Sequence, residues 1–255
     1  MNRLGDNPFV VFALTLIVLW LSAWIGSFFL KRRRSLEADV REDFNVILAA
    51  TLTLLGLIIG FSFSMAVDRY QQRKNYEEAE ANAIGTEWVR ADLLPAGDAA
   101  RVRALLRKYL DECILFYSVR DEQQLRQINA NTTLLQSELW DAIRAPATAQ
   151  PTALFSLVVS GMNDVLNSQG YTQAAWWNRI PLEAWGLMAL IAMCCNLLVG
   201  YGARRPEVEG ALMLVLPIVV SISFFLIADI DSPRGGLILV KPQNLVSCSQ
   251  SLQAR

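Results

Sequence analysis

Apolar residues run almost unbroken through four stretches of the chain. Residues 9–30, 44–67 and 211–228 hold no charged side chain, and residues 182–201 hold only Glu183, near the start of the run. A hydrocarbon core of roughly 30 Å takes about 20 residues of helix, so each stretch predicts a membrane span, the last one narrowly. The pattern divides the chain into spans one and two with their loop (1–67), an insert (68–179), spans three and four (180–230), and a polar C-terminal tail (231–255). Alternating strand patterning is absent. The expected fold class is therefore all-α, an integral membrane protein with a helical extramembrane insert between its second and third spans.

The second span passes from apolar to charged residues within "GFSFSMAVDRYQQRK" without a glycine or proline to stop it. Residues 68–94 are good helix formers up to Pro95, and Arg73–Glu77 and Lys74–Glu78 have the i,i+4 spacing that supports an exposed helix. The spacing predicts one continuous helix, with the part beyond the span rising from the bilayer as a stalk. Further helices are expected at about 98–128, capped by Asp98, over a short stretch ending near Arg144 with Asn or Thr capping, and from Pro151 onward. In the first of these, Val102, Leu105, Leu106, Tyr109, Cys113 and Phe116 share a face. In the last, Leu154, Phe155, Val158, Met162, Val165 and Leu166 do so.

Composition narrows the chemistry. More than half of the residues are hydrophobic (53%), too many for an ordinary soluble domain, and the net charge of −1 gives no basic face for nucleic acid. There is no histidine. That removes the usual general base, the Ser/His and Cys/His nucleophile pairs and the commonest zinc ligand. Cys113, Cys194, Cys195 and Cys248 form no CxxC spacing and read as structural residues. Glu77, Glu78, Glu80 and Glu87 are spaced as a solvated helix face rather than as catalytic acids. No enzymatic activity, cofactor or metal site is expected.

Charge also predicts orientation. The loop at 31–43 carries Lys31, Arg32, Arg33, Arg34 and Arg41, and the loop between the last two spans carries Arg204 and Arg205. Both loops lie on one side, which the positive-inside tendency places in the cytoplasm. Both termini and the insert 68–179 then face the periplasm or exterior. The first span is too long for a secretory leader and has its basic cluster after it, so it is read as a retained anchor. Trp176 and Trp177, just before the third span, suit an interfacial belt.

Two sets of residues are candidates for function. On the second span Asn45, Ala49, Thr53, Gly56, Gly60 and Ser64 fall within an arc of about 100° at helical spacing. They are either a close helix-packing face, which the spacing favours, or a polar wall beside an ion pathway. At the span ends, Asp68, Arg69, Asp229, Asp231 and Arg234 emerge at one membrane face. They are read first as solvated flanking charges and second as an ion-pair collar at the mouth of a pathway.

The blocks "LLGLIIGFSFSMAVDRYQQRKNYEEAEANAIGTEWVRADLLP" and "LIADIDSPRGGLILV" resemble a bacterial membrane family of unknown function labelled bestrophin-like, over about residues 43–240. Through "LGLIIGFSFSMAVDRYQQR" the chain is also similar to the pore helix of bestrophins, which are pentameric anion channels with an apolar neck. That resemblance implies a bacterial inner-membrane protein and makes Ile59, Phe61 and Phe63 the neck candidates. Bestrophins keep the domain after this helix in the cytosol, whereas the loop charges of this sequence place it outside, and we follow the charges. The leading expectation is a homo-oligomer in the lipid bilayer, a channel-like path for small inorganic ions, with the second span near the axis and the insert as a vestibule. The alternative is a non-conducting scaffold or sensor whose helical domain binds a partner.

Overall fold

A computed structural model describes residues 7–30, 40–149, 152–203 and 206–253. The basic cluster Lys31 to Arg34, the loop residues Arg204 and Arg205, and Pro151 lie outside the described residues. The described chain is helical throughout and contains no strand. The helices are α1 (Pro8–Ile25), continued by a wide turn over Gly26–Leu30, α2 (Val40–Arg90), α3 (Ala96–Ser118), α4 (Glu122–Ala149), α5 (Ala153–Trp177), α6 (Leu182–Gly202), α7 (Pro206–Asp231) and α8 (Gln243–Gln253). Among the described residues four helical segments are long and apolar enough to cross a membrane, Pro8–Phe28, Val40–Leu93, Ala153–Gly202 and Met213–Asp231.

The chain forms two compact units, residues 1–69 with 179–239, and residues 70–178 with 240–255. In the first, Leu19 of α1, Leu55 of α2, Met188, Ala192 and Cys195 of α6, and Val220 and Phe224 of α7 are buried together. Lipid tails are as apolar as these side chains, so close approach rather than water exclusion holds such helices. It is most severe where α1 crosses α6. A Cβ on Gly26 would overlap the Leu197 carbonyl, and one on Gly200 would overlap the Ala23 carbonyl. The two backbones touch there, so only glycine fits. On the other flank of α6, the Cys195 thiol donates to the Thr51 carbonyl of α2 at 3.4 Å, and Arg41 donates to the Gly202 carbonyl at 3.0 Å.

The second unit is a bundle built on the extension of α2. Ile84 and Trp88 of α2 are buried with Val102, Leu106, Tyr109 and Leu110 of α3, Leu139 and Ile143 of α4, Val158, Met162 and Val165 of α5, and Leu245 and Leu252 of α8. The stalk helix is therefore one wall of a core. Helical structure continues through a short 3₁₀ turn at Ala91–Leu93 and ends before Pro95, as the residue types predict.

Several expected boundaries and caps are corrected. The helix expected at 98–128 stops at Ser118, because the Asp121 carboxylate accepts the amides of Gln123 and Gln124 at 3.0 and 2.9 Å and so caps a new helix. Asp98 is not a cap. Pro95 holds the cap position of α3, and Asp98 lies in its first turn, where a carboxylate still meets the helix dipole favourably. The Asn and Thr residues expected to cap a short helix lie inside α4, which runs past Arg144 and through a buried Pro146. Thr152 caps α5, its hydroxyl accepting from the Phe155 amide at 3.4 Å. Residues 243–253, inside the expected polar tail, form α8 with Leu245 and Leu252 buried.

Candidate functional site

Helix α2 presents two unlike faces along its span. Phe44, Leu55, Ser62 and Ala66 are buried against the rest of their own unit. At about 100° per residue, the small and polar stripe is centred roughly 130° around the helix from that face. Asn45, Ala49, Thr53, Gly56, Gly60 and Ser64 are all exposed. Apart from the adjoining residues and backbone of α2 itself, no described atom stands within 4 Å of where a Cβ would sit on Gly56 or on Gly60. Among the described residues, the close packing expected of this stripe is not made at Gly56 or Gly60. The Thr53 hydroxyl donates to the Ala49 carbonyl at 2.9 Å, so outward it offers acceptor lone pairs only.

The three neck candidates do not share a face. Ile59 and Phe63 lie about 40° apart around the helix, while Phe61 is about 160° from each. Ile59 is partly buried beside the core of the unit. Phe63 is 38% exposed and Phe61 63% exposed, on opposite sides of the helix.

The charges at the ends of the spans divide in the same unit. Asp68 is exposed and reads as a flanking charge. Asp229 and Asp231 are buried, which corrects the reading of both as solvated. The Asp229 carboxylate accepts the amides of Leu237 and Ile238 at 2.6 and 2.9 Å, drawing residues 232–238 back against the end of α7. A Cβ on Gly236 would stand 2.5 Å from the Asp229 carbonyl, so the fold-back needs a glycine there. The Ser232 hydroxyl accepts the Gly235 amide at 3.1 Å and closes the turn. Asp231 accepts the Ile180 amide at 3.2 Å and the Arg69 guanidinium at 3.4 Å. One carboxylate thus ties the end of α7, the start of α6 and α2. Arg234 is partly buried, and desolvation, with Arg179 nearby, lowers its pKa to about 10.

A second acidic set lies in the other unit, on the part of α2 beyond the length a bilayer takes up. Arg73, Glu77, Glu80 and Glu87 are buried, and only Glu78 of the expected solvated face is exposed. Ala81, Ile84, Trp88 and Ala91 are buried with them, so the row is a core-facing stripe with charges built in. Arg73 donates to the Ala175 carbonyl at 3.4 Å. Glu77 accepts the Asn244 amide at 2.9 Å, its side-chain amide at 2.6 Å and the Leu245 amide at 2.9 Å, and so caps α8 from outside. Glu80 accepts from the Tyr117 and Thr172 hydroxyls at 3.4 Å each. Burial raises its pKa to about 7 against the lowering effect of those bonds. Among the described residues no group of three or more His, Cys, Asp or Glu side chains is arranged to hold a metal ion.

Comparison with known proteins follows the same lines. The family model described as Bestrophin-like domain matches residues 10–245. No curated protein matches the sequence. Among solved structures, a point variant of a bacterial Bestrophin homolog from Klebsiella pneumoniae superposes with a TM-score of 0.68 at 12% identity, covering 94% of this chain and 97% of that one. Another structure of the Klebsiella pneumoniae homolog gives a TM-score of 0.65 at 12% identity, covering 96% and 97%. At that identity the likeness concerns the fold.

Proposed function

We propose, from the premise that this chain belongs to the bestrophin-like family, that it assembles as a homo-oligomeric ring in the membrane and passes small inorganic ions along the α2 helices. The observation that carries this reading is the bare stripe on α2. Asn45, Thr53, Gly56, Gly60 and Ser64 are exposed, with open space around Gly56 and Gly60 among the described residues, while the far side of the same helix is buried. An exposed apolar face could simply meet lipid, but a face of glycine, amide and hydroxyl groups has little to gain there. Several copies turned inward would give the stripe either tight helix packing or a water-filled axis.

Within the ring, Phe63 is the best-placed constriction, since it borders the stripe while Phe61 stands on the other side of the helix. Anions are the ions to test first, by the resemblance to bestrophin channels. The hydrogen bonding of Thr53 does not itself select them. The loop charges at 31–41 and 204–205 support an orientation with those loops in the cytoplasm and the helical unit outside. A Ser137→Cys reporter in a background lacking Cys194 and Cys248 checks it. Labelling by a membrane-impermeant maleimide in intact cells is the expected result.

The experiment for conduction is halide flux into liposomes carrying the purified protein. Flux above empty vesicles, raised several-fold by Phe63→Ala and little changed by Phe61→Ala, is the expected result. No flux from wild type or from Phe63→Ala would leave the scaffold reading in its place. That reading draws on exposed apolar residues of the helical unit, Leu134, Leu154, Leu157 and Tyr171, which offer a surface for a partner.

A further inference from the structure

Seven residues beyond Glu80 on the same face of α2, Glu87 is completely buried where α5 crosses. Neither of its carboxylate oxygens meets a hydrogen-bond donor among the described residues. A Cβ on Gly161 of α5 would overlap both the Glu87 carboxylate and the Arg90 guanidinium, so the two helices close directly over this side chain. Gly161 itself is buried. The seam is tight, and the group sealed inside it is one that carries charge in water.

The charged neighbours are few. Arg90 stands beside Glu87 on α2, and Asp164 faces it from α5. From the turn after α2 and from α3, Asp92 and Arg103 are bonded to each other, and Arg103 and Arg107 lie over the Trp88 ring. Removal from water dominates, Arg90 opposes it less strongly, and Asp164 adds to it. Together they raise the Glu87 pKa to about 8.

We propose that Glu87 is a proton-operated latch on the seam between α2 and α5. Neutral, the carboxyl packs under Gly161 and the seam stays shut. Ionised, it has no donor in the closed arrangement and is repelled by Asp164, and the space around it is filled by Gly161. Water can reach it only if α5 lifts there, and the Arg90 guanidinium already beside it offsets only part of the cost of burying the charge. The closed state therefore binds the proton more tightly than the open one, and rising pH favours opening. The latch needs no conduction to operate, although α2 is the same helix that carries the bare membrane stripe.

Amide hydrogen exchange of the full-length protein in nanodiscs tests this, with rates corrected for the intrinsic pH dependence of exchange. The expected result is that peptides covering residues 157–165 lose protection between pH 6 and pH 9 by about tenfold or more beyond any loss in α3 peptides, which follow the stability of the whole unit. Glu87→Gln is uncharged and of the same shape as the protonated residue, so it is expected to fold and to keep the seam protected at both pH values. Constant protection in the wild type overturns the proposal. So does a Glu87→Gln variant that keeps the wild-type pH response, and so does one that fails to fold, since the neutral form is the one that packs.

Discussion

Asp231 and Arg69 are joined at 3.4 Å, and the same carboxylate accepts the Ile180 amide, so one side chain fastens α7, α2 and the entry to α6. Removing it leaves a partly buried guanidinium and a buried amide without this acceptor. Asp231→Ala is expected to destabilise the membrane unit by about 1–3 kcal/mol. Asp68→Ala, at an exposed neighbour, is expected to change stability by less than about 0.5 kcal/mol. Thermal unfolding in detergent compares the two.

The glycines of the spans should separate into two classes. Gly26→Ala and Gly200→Ala force a methyl into a backbone carbonyl across the α1–α6 crossing, and each is expected to cost about 1–3 kcal/mol or more. Gly56→Ala and Gly60→Ala meet open space within the chain and should leave the subunit fold intact. Any loss at those two positions belongs to assembly and should appear as a lighter particle, not as a lower unfolding temperature of the subunit.

Glu77 accepts three hydrogen bonds from the first residues of α8. Glu77→Ala is expected to uncap that helix at about 0.5–2 kcal/mol. The variant should be cut by chymotrypsin after Leu245 at a concentration that spares the wild type. Equal resistance of the two proteins would show that Leu245 and Leu252 hold α8 without the cap.

How far the sequence disclosed these features depends on the residue. The spans and the continuous second helix follow from length, hydropathy and the absence of breakers before Pro95, which are local properties. Glu77, Glu80 and Glu87 misled because acids at i, i+3 and i+10 look like a solvated face until α3, α5 and α8 are laid over them. The interleaved Ala81, Ile84, Trp88 and Ala91 were the available sign that this face turns inward. Asp121 was a capping signal hidden in the polar run "SVRDEQQ". The neck trio could have been corrected on the sequence alone, since residues two apart stand on opposite sides of a helix. The burial of Asp229 and Asp231 had no comparable sign, because charges next to a span are ordinarily wet.

Buried acids also set the pH dependence of the helical unit. Burial raises the folded pKa values of Glu80 and Glu87 to about 7 and about 8 from the ordinary glutamate value of 4.5. The folded state then holds protons that the unfolded chain has released, so stability should fall as pH rises from about 4.5 to about 8 and level off on either side. Glu80→Gln should remove its own share of that decline, roughly halving the slope between about pH 4.5 and 7 and leaving the Glu87 share up to about pH 8. Melting temperatures across the range, for wild type and variant, check both the sign and the window.

The central claim is that the bare stripe of α2 is turned toward copies of itself. The most direct measurement is the mass of the purified protein in nanodiscs, corrected for bound lipid. A particle of four or more subunits, reduced in size by Gly60→Leu without loss of the subunit fold, is the predicted result. A wild-type monomer or dimer would contradict it, because too few α2 helices would then be present to enclose an axis.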